Sequence, residues 1–240
     1  MKLNPSRTQL EREMRSAADP VRAAFLAGYF KTGKGEYGEG DKLLGITVPI
    51  RRKISRRFRT LPLPEVQIVL KSAIHEHRAA ALDILVLQYR QGDAKQRDAI
   101  VKFYLANTRY INNWDLVDAS CRAILGEYLK TPSRAILDKL ARSKNIWERR
   151  IAIISTMSFI SAGDLDDAFR LSEALLNDKH DLMHKAVGWV LREAGRVDRQ
   201  RLLLFLEENY ARVPRTTLRY AIEHLPLEQR KKILAGDFEP

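Results

Sequence analysis

Apolar residues in this chain recur at helical spacing over almost its whole length. In "RAAALDILVLQY" Ala81, Leu82, Leu85 and Val86 fall at i, i+1, i+4 and i+5, one stripe of a helix packed on a core. Alternating apolar and polar runs of β-branched residues are nearly absent, as are Asn-Gly or Asp-Gly turns between such runs, so strands are not expected. Pro20, Pro49, Pro62, Pro64, Pro132, Pro214 and Pro226 punctuate the pattern and mark element boundaries.

Five stretches share one plan, a polar or basic turn leading into a strongly apolar helix: "HEHRAAALDIL", "NNWDLVDASCRAIL", "NIWERRIAII", "LMHKAVGWVLRE" and "RTTLRYAIEHL". Taking Arg78, Trp114, Arg150 and Lys185 as equivalent gives steps of 36, 36 and 35 residues. Two helices and their turns fill such a period. Neither helix can bury its apolar face alone, so neighbouring pairs stack into a solenoid with a concave side. The prediction is an all-α fold, a single helical-repeat domain over residues 1–240. A non-repetitive helical bundle is the competing architecture.

One segment breaks the helical pattern. "KTGKGEYGEGDKLLGITVP" holds Gly33, Gly35, Gly38, Gly40 and Gly45, but it lacks the G-x-x-x-x-G-K-[ST] spacing and follows no expected strand. It reads as a flexible surface loop, not a nucleotide cradle. The helix after it, "PIRRKISRRFR", carries Arg51, Arg52, Lys53, Arg56, Arg57 and Arg59, enough positive charge to hold phosphates.

Charge sharpens this picture. The 240 residues contain 42 Lys+Arg against 30 Asp+Glu, a net charge of +12, which favours a polyanionic partner through phosphate contacts and counterion release. A generally solvated basic surface is the plainer explanation. The single cysteine, Cys121, excludes a disulfide framework and a multi-cysteine zinc site, and its apolar neighbours mark a buried thiol. His75 and His77 lie two apart and His180 and His184 four apart, and neither pair has a third ligand, so no metal or cofactor is expected. An apolar leader is missing from the first residues, and nowhere do about 18 uncharged apolar residues run together, so a cytoplasmic location without membrane contact is expected.

Candidate chemistry gathers in the turns. Trp114 and Asp118 share a helical face, because i and i+4 differ by about 40° in azimuth. Core packing for the ring and an ion pair for the carboxylate are the structural alternatives. Asp115 points elsewhere and suits the helix dipole as a first-turn acid. Arg149 and Arg150 are separated by about 100°, so one should face a partner and the other pair or solvate. Trp189 lies four residues after Lys185 and three before Arg192, an aromatic between cations suited to a nucleic-acid backbone.

These motifs, with "AGYFKTGKGEYGEGDKLLGITVP" and the "RR" just after it, resemble the AlkD-like DNA alkylation repair glycosylases, built of HEAT-like repeats. The likeness runs over nearly the whole chain, and the WD-x-V-D, W-x-RR and K-A-x-GW-x-LRE patterns occur in the family's order. It implies a HEAT-like solenoid with a basic concave DNA-binding face, acting as a monomer on double-stranded DNA. The implied reaction is excision of N3- and N7-alkylated purines by hydrolysis of the N-glycosidic bond, without base flipping. Residue by residue, Asp118 corresponds to the catalytic carboxylate, and Trp114 and Trp189 to the two aromatics against the lesion's sugar and backbone. Arg150 fits the family's arginine better than Arg149, and Tyr29 matches a lesion-facing tyrosine. Thr47, Arg51, Arg52, Lys185 and Arg192 complete the expected DNA contacts. Two departures bear on substrate range: Asn113 precedes the tryptophan where an aromatic is common, and Thr47 follows "LLGI" where some members have glutamine. A non-catalytic DNA-binding member and a protein-interaction scaffold are the other functional readings.

Overall fold

A computed structural model describes residues 6–131 and 133–238; Pro132, one of the expected boundaries, lies outside them. Among the described residues the secondary structure is helical, apart from one isolated parallel bridge between Lys42 and Ile74. The chain divides into two compact units, residues 1–120 and 121–240.

The first unit contains α1 (Arg7–Ser16), α2 (Pro20–Tyr29), α3 (Val48–Arg57), α4 (Leu63–Leu70), α5 (His75–Gln91), α6 (Ala94–Ala106) and most of α7 (Trp114–Cys121). Local sequence sets the starts. Asp19 accepts a hydrogen bond from the Arg22 amide ahead of Pro20, and Asp93 and Gln96 form a reciprocal capping box for α6. Pro62 and Pro64 open α4. In the second unit α8 (Ala135–Ala141), α9 (Ile146–Ser155), α10 (Met157–Ile160), α11 (Asp166–Leu175), α12 (Asp181–Val197), α13 (Arg199–Glu208), α14 (Arg215–Ala221) and α15 (Leu227–Ala235) follow, with Pro214 and Pro226 at the N-caps of α14 and α15. Cys121 is fully buried.

The five similar stretches form α5, α7, α9, α12 and α14, each preceded by a partner helix. Their register is looser than the period suggests. Trp114 opens its helix, whereas Arg150 and Lys185 sit a full turn into theirs. Asn113 fixes this start, since its Oδ1 accepts from the Trp114 amide at 2.8 Å and its carbonyl accepts from the Val117 amide at 3.1 Å.

Each unit is organised around one 17-residue helix. α5 packs on α3, α4 and α6, so Ala79–Leu82 and Ile84–Val86 are all buried and the expected single stripe becomes a core helix closed on most sides. α12 packs on α9, α10, α11, α13 and α14. Its contact with α14 requires glycine at 188. A Cβ there would meet the Tyr220 Cβ at 2.5 Å and the Thr217 carbonyl oxygen at 2.7 Å.

The glycine-rich segment is less free than its composition implies. The Glu76 carboxylate, buried at the start of α5, accepts from the amides of Leu44 (2.9 Å), Gly45 (2.7 Å) and Ile46 (3.3 Å). Gly45 adopts φ +77° and lies against the Asp19 carbonyl, a place with no room for a Cβ. Nothing in the local pattern signals this anchor, because Glu76 lies about thirty residues further along the chain.

Glu76→Ala should lower unfolding free energy by about 3 kcal/mol, since it leaves the amide donors of residues 44–46 without their acceptor. Urea denaturation followed by circular dichroism reads the loss; an unchanged midpoint would mean the loop is held by other contacts. Gly188→Ala should cost about 1–3 kcal/mol through overpacking of α12 on α14, read as a drop in melting temperature.

Candidate nucleic-acid interface

In the first unit an aromatic cluster forms where α2 ends, α5 begins and α7 begins. Tyr29, 54% exposed, meets the Trp114 ring edge-on with centroids 5.7 Å apart. Phe30, buried beneath, lies 5.2 Å from Tyr29 and 5.7 Å from Trp114. Such pairs add about 0.5–1.5 kcal/mol each beyond burial and fix ring orientation. Trp114 is half-buried: its ring is seated on Phe30 and Tyr29 but still reaches the surface. Asp118, one turn further along α7, is half-buried as well.

Beneath the rings lies a charged set. Phe30 stacks on the His75 imidazole at 4.6 Å and 27°. His75 Nδ1 donates to Asp41 Oδ2 at 3.0 Å and Nε2 donates to Asp115 Oδ2 at 2.9 Å, so both ring nitrogens carry protons. Arg78 Nη2 donates to the same Asp41 oxygen at 2.5 Å, and its Nη1 to the Ser72 carbonyl at 3.0 Å. Burial acts to lower the His75 pKa, but its hydrogen bonds to the Asp115 and Asp41 carboxylates outweigh burial and the nearby Arg78 and push it up to about 9. Asp115 therefore does more than complement the helix dipole: it turns inward and holds the imidazolium. His77 points differently, with Nδ1 3.2 Å from the Ser72 hydroxyl.

The remaining expected residues of this unit separate by burial. Thr47 is the N-cap of α3 without a side-chain cap bond. Arg51 is buried and its Nε donates to Asp83 Oδ2 at 2.9 Å, which ties α3 to α5. The adjacent Arg52 has an exposed side chain, its Nε 3.8 Å from Asp83 Oδ1.

In the second unit Arg149 donates through Nε to Asp178 Oδ2 at 2.6 Å and through Nη1 to the Ser143 carbonyl at 2.9 Å. Arg150 is buried, with Nη1 donating to the Leu182 carbonyl at 2.7 Å. Trp189 is half-buried on α12, next to the Gly188 that lies close against α14. Its flanking cations have acidic neighbours: Lys185 Nζ is 2.7 Å from Asp181 Oδ2, and Arg192 pairs with Glu193 at 3.2 Å and with Glu223. His180 caps α12 through Nδ1, accepting from the Leu182 amide at 3.2 Å, and His184 Nε2 donates to the Asp178 carbonyl at 2.5 Å.

The family model for "DNA alkylation repair enzyme" matches residues 10–225. The chain belongs to this family. Membership places the chain in DNA repair, with DNA as its partner. It is similar in fold to a solved structure described as a "predicted DNA alkylation repair enzyme from Enterococcus faecalis", at 18% identity and a TM-score of 0.68, covering 88% of this chain and 97% of that one. No protein of curated function matches the chain. Among the described residues no helix is long and apolar enough to cross a membrane.

Helical spacing points to Trp114 and Asp118 and the family resemblance to Tyr29, but neither points to Phe30, Asp41, His75 or Arg78 as members of this cluster. The run His75–Glu76–His77–Arg78 at the head of an apolar helix was a faint signal. All four side chains are buried, and the partners of His75 come from Asp41 and Asp115, 34 and 40 residues away.

The raised His75 pKa makes stability depend on pH. The folded state binds this proton more tightly than an unfolded histidine of pKa near 6.5. The contribution is therefore complete below about pH 6.5 and disappears as pH rises through about 9. Between pH 6 and 9.5 the wild type should lose a few kcal/mol relative to His75→Gln. Paired urea titrations measure this difference; a gap that does not change with pH would show that the imidazole is neutral in the folded protein.

Proposed function

We propose that this protein is a monofunctional DNA glycosylase that removes N3- and N7-alkylated purines from duplex DNA by hydrolysing the N-glycosidic bond, without flipping the nucleotide out of the stack. The observation that carries this reading is the pair Trp114 and Asp118, both half-buried and one turn apart on α7, in a chain of the DNA alkylation repair family.

Alkylation at N3 or N7 gives the purine a formal positive charge. The base leaves with the electron pair of the C1′–N bond and departs neutral, so no strong general acid is needed. Positive charge passes to the sugar as an oxocarbenium ion. The Asp118 carboxylate stabilises that cation and orients a water whose oxygen bonds to C1′, while the water's proton passes to the carboxylate and then to solvent. Preplaced electrostatic stabilisation of this kind contributes about 3–4 kcal/mol. The Trp114 indole, steadied by Tyr29 and Phe30, adds cation–π attraction of about 0.5–2 kcal/mol towards the same charge.

In the second unit, Trp189 packs against the DNA backbone, and Lys185 and Arg192 exchange carboxylate partners for phosphates on binding. The buried Arg150 shapes the surface from below, and Arg149 stays clamped by Asp178. Arg52 contacts DNA while Arg51 braces α3 on α5. Discrimination rests on the reactivity of cationic purines rather than on hydrogen bonds to base edges, so neutral lesions are poor substrates.

Released base from duplex DNA containing N7-methylguanine tests the proposal. Asp118→Asn, close in size and without the charge, should lower the single-turnover rate by about 10²–10³. Release at the wild-type rate would remove Asp118 from the reaction.

A further inference from the structure

Several arginines of the first unit pair with carboxylates of the protein itself. Arg57 pairs with Glu13, Arg51 with Asp83 at 2.9 Å, Arg78 with Asp41 at 2.5 Å and Arg7 with Glu11 at 2.8 Å. Arg56 and Arg90 differ: among the described residues no carboxylate pairs with either guanidinium, and both residues are exposed. Arg52 meets a carboxylate only at 3.8 Å, from an Asp83 already bonded to Arg51. These three arginines surround one recess of about 230 Å³, whose remaining walls are Asp83, Val86, Leu87 and Ala119.

The sequence explains the convergence. Arg52 and Arg56 are one turn apart on α3, so they project to one side, and Val86 and Arg90 are one turn apart on the α5 face opposite. Asp83 is shared between Arg51 at 2.9 Å and Arg52 at 3.8 Å, so positive charge exceeds negative around one small volume. Such like-charge crowding opposes folding and serves no packing purpose, and a bound anion relieves it. The recess offers donors in planar forks, which match the oxygens of a phosphate and recognise nothing in a base edge that calls for an acceptor. Ala119, the residue after the proposed catalytic carboxylate, forms part of its wall.

We propose that this recess is a discrete phosphate site, in which Arg52, Arg56 and Arg90 hold one phosphodiester of a DNA strand and so set the register of that strand against Asp118. The register rests on the role assigned to Asp118; the phosphate site itself needs only DNA as the partner. It differs from general attraction to a basic surface because one phosphate, rather than many, carries the contact.

The test measures affinity of the full chain for a short undamaged duplex as a function of salt, combined with a scan in which single phosphates are replaced by uncharged methylphosphonates. Arg90→Gln and Arg56→Gln should each weaken binding about tenfold near 0.1 M salt and lower the salt slope by about one. In the scan, one methylphosphonate should weaken the wild type by a similar factor and cost either variant nothing further. Arg57→Gln, which removes a paired arginine of the same helix, should remain sensitive at that position. Unchanged affinity in the first two variants would overturn the site. So would an additional loss of equal size at every phosphate, or a profile for Arg57→Gln that matches Arg90→Gln. Binding to undamaged DNA involves no bond cleavage, so failure here leaves the base-release test untouched, and failure of that test leaves the phosphate site standing.

Discussion

The first unit depends on charges buried at the head of α5. His75, Glu76 and Arg78 all lie within the protein, where an unpaired charge would cost several kcal/mol. Their partners come from three other segments: Asp41 in the glycine-rich stretch, shared by His75 and Arg78, Asp115 on α7, and the amides of residues 44–46 before α3. A set of this kind specifies position more than it adds stability, since an apolar replacement of equal shape could hold the fold as well. What it specifies is the placement of α7 and Phe30 relative to α5, and with them the seat of the Trp114 ring.

α7 shows how one short helix can serve two environments. Advancing 100° per residue, it turns Asp115 inward to the imidazolium and leaves Trp114 and Asp118 half-buried. The two carboxylates are three residues apart and chemically alike, yet they meet different surroundings. Asp115 is occupied by a proton donor from His75. Asp118, half-buried one turn after Trp114, is the carboxylate to which the chemistry is assigned in the proposal.

Positive charge is distributed with similar economy. A net charge of +12 suggests a broad anion-binding surface, but arginine after arginine is spent on a carboxylate: Arg51 on Asp83, Arg149 on Asp178, Arg192 on Glu193 and Glu223. Net charge sets the long-range attraction to DNA. Around the α3–α5 recess the guanidiniums without a close carboxylate partner among the described residues are Arg56, Arg90 and, in large part, Arg52, and the phosphate contact is proposed there.

The sequence by itself determined the helical class, the proline-marked helix starts, the helix pairing and the family, because these follow from local periodicity, from backbone chemistry at caps and from motifs contained within single turns. It also brought Trp114 and Asp118 to one face, which the pitch of a helix guarantees. Only the tertiary structure decided that Arg51 is buried while Arg52 is exposed, that α5 is enclosed rather than one-sided, and that the glycine-rich stretch is anchored by Glu76. The Asp41–His75–Asp115 set likewise lay beyond the pattern. In each case the deciding partner comes from another helix or loop tens of residues away, and no local rule records which side of a helix its neighbours will cover.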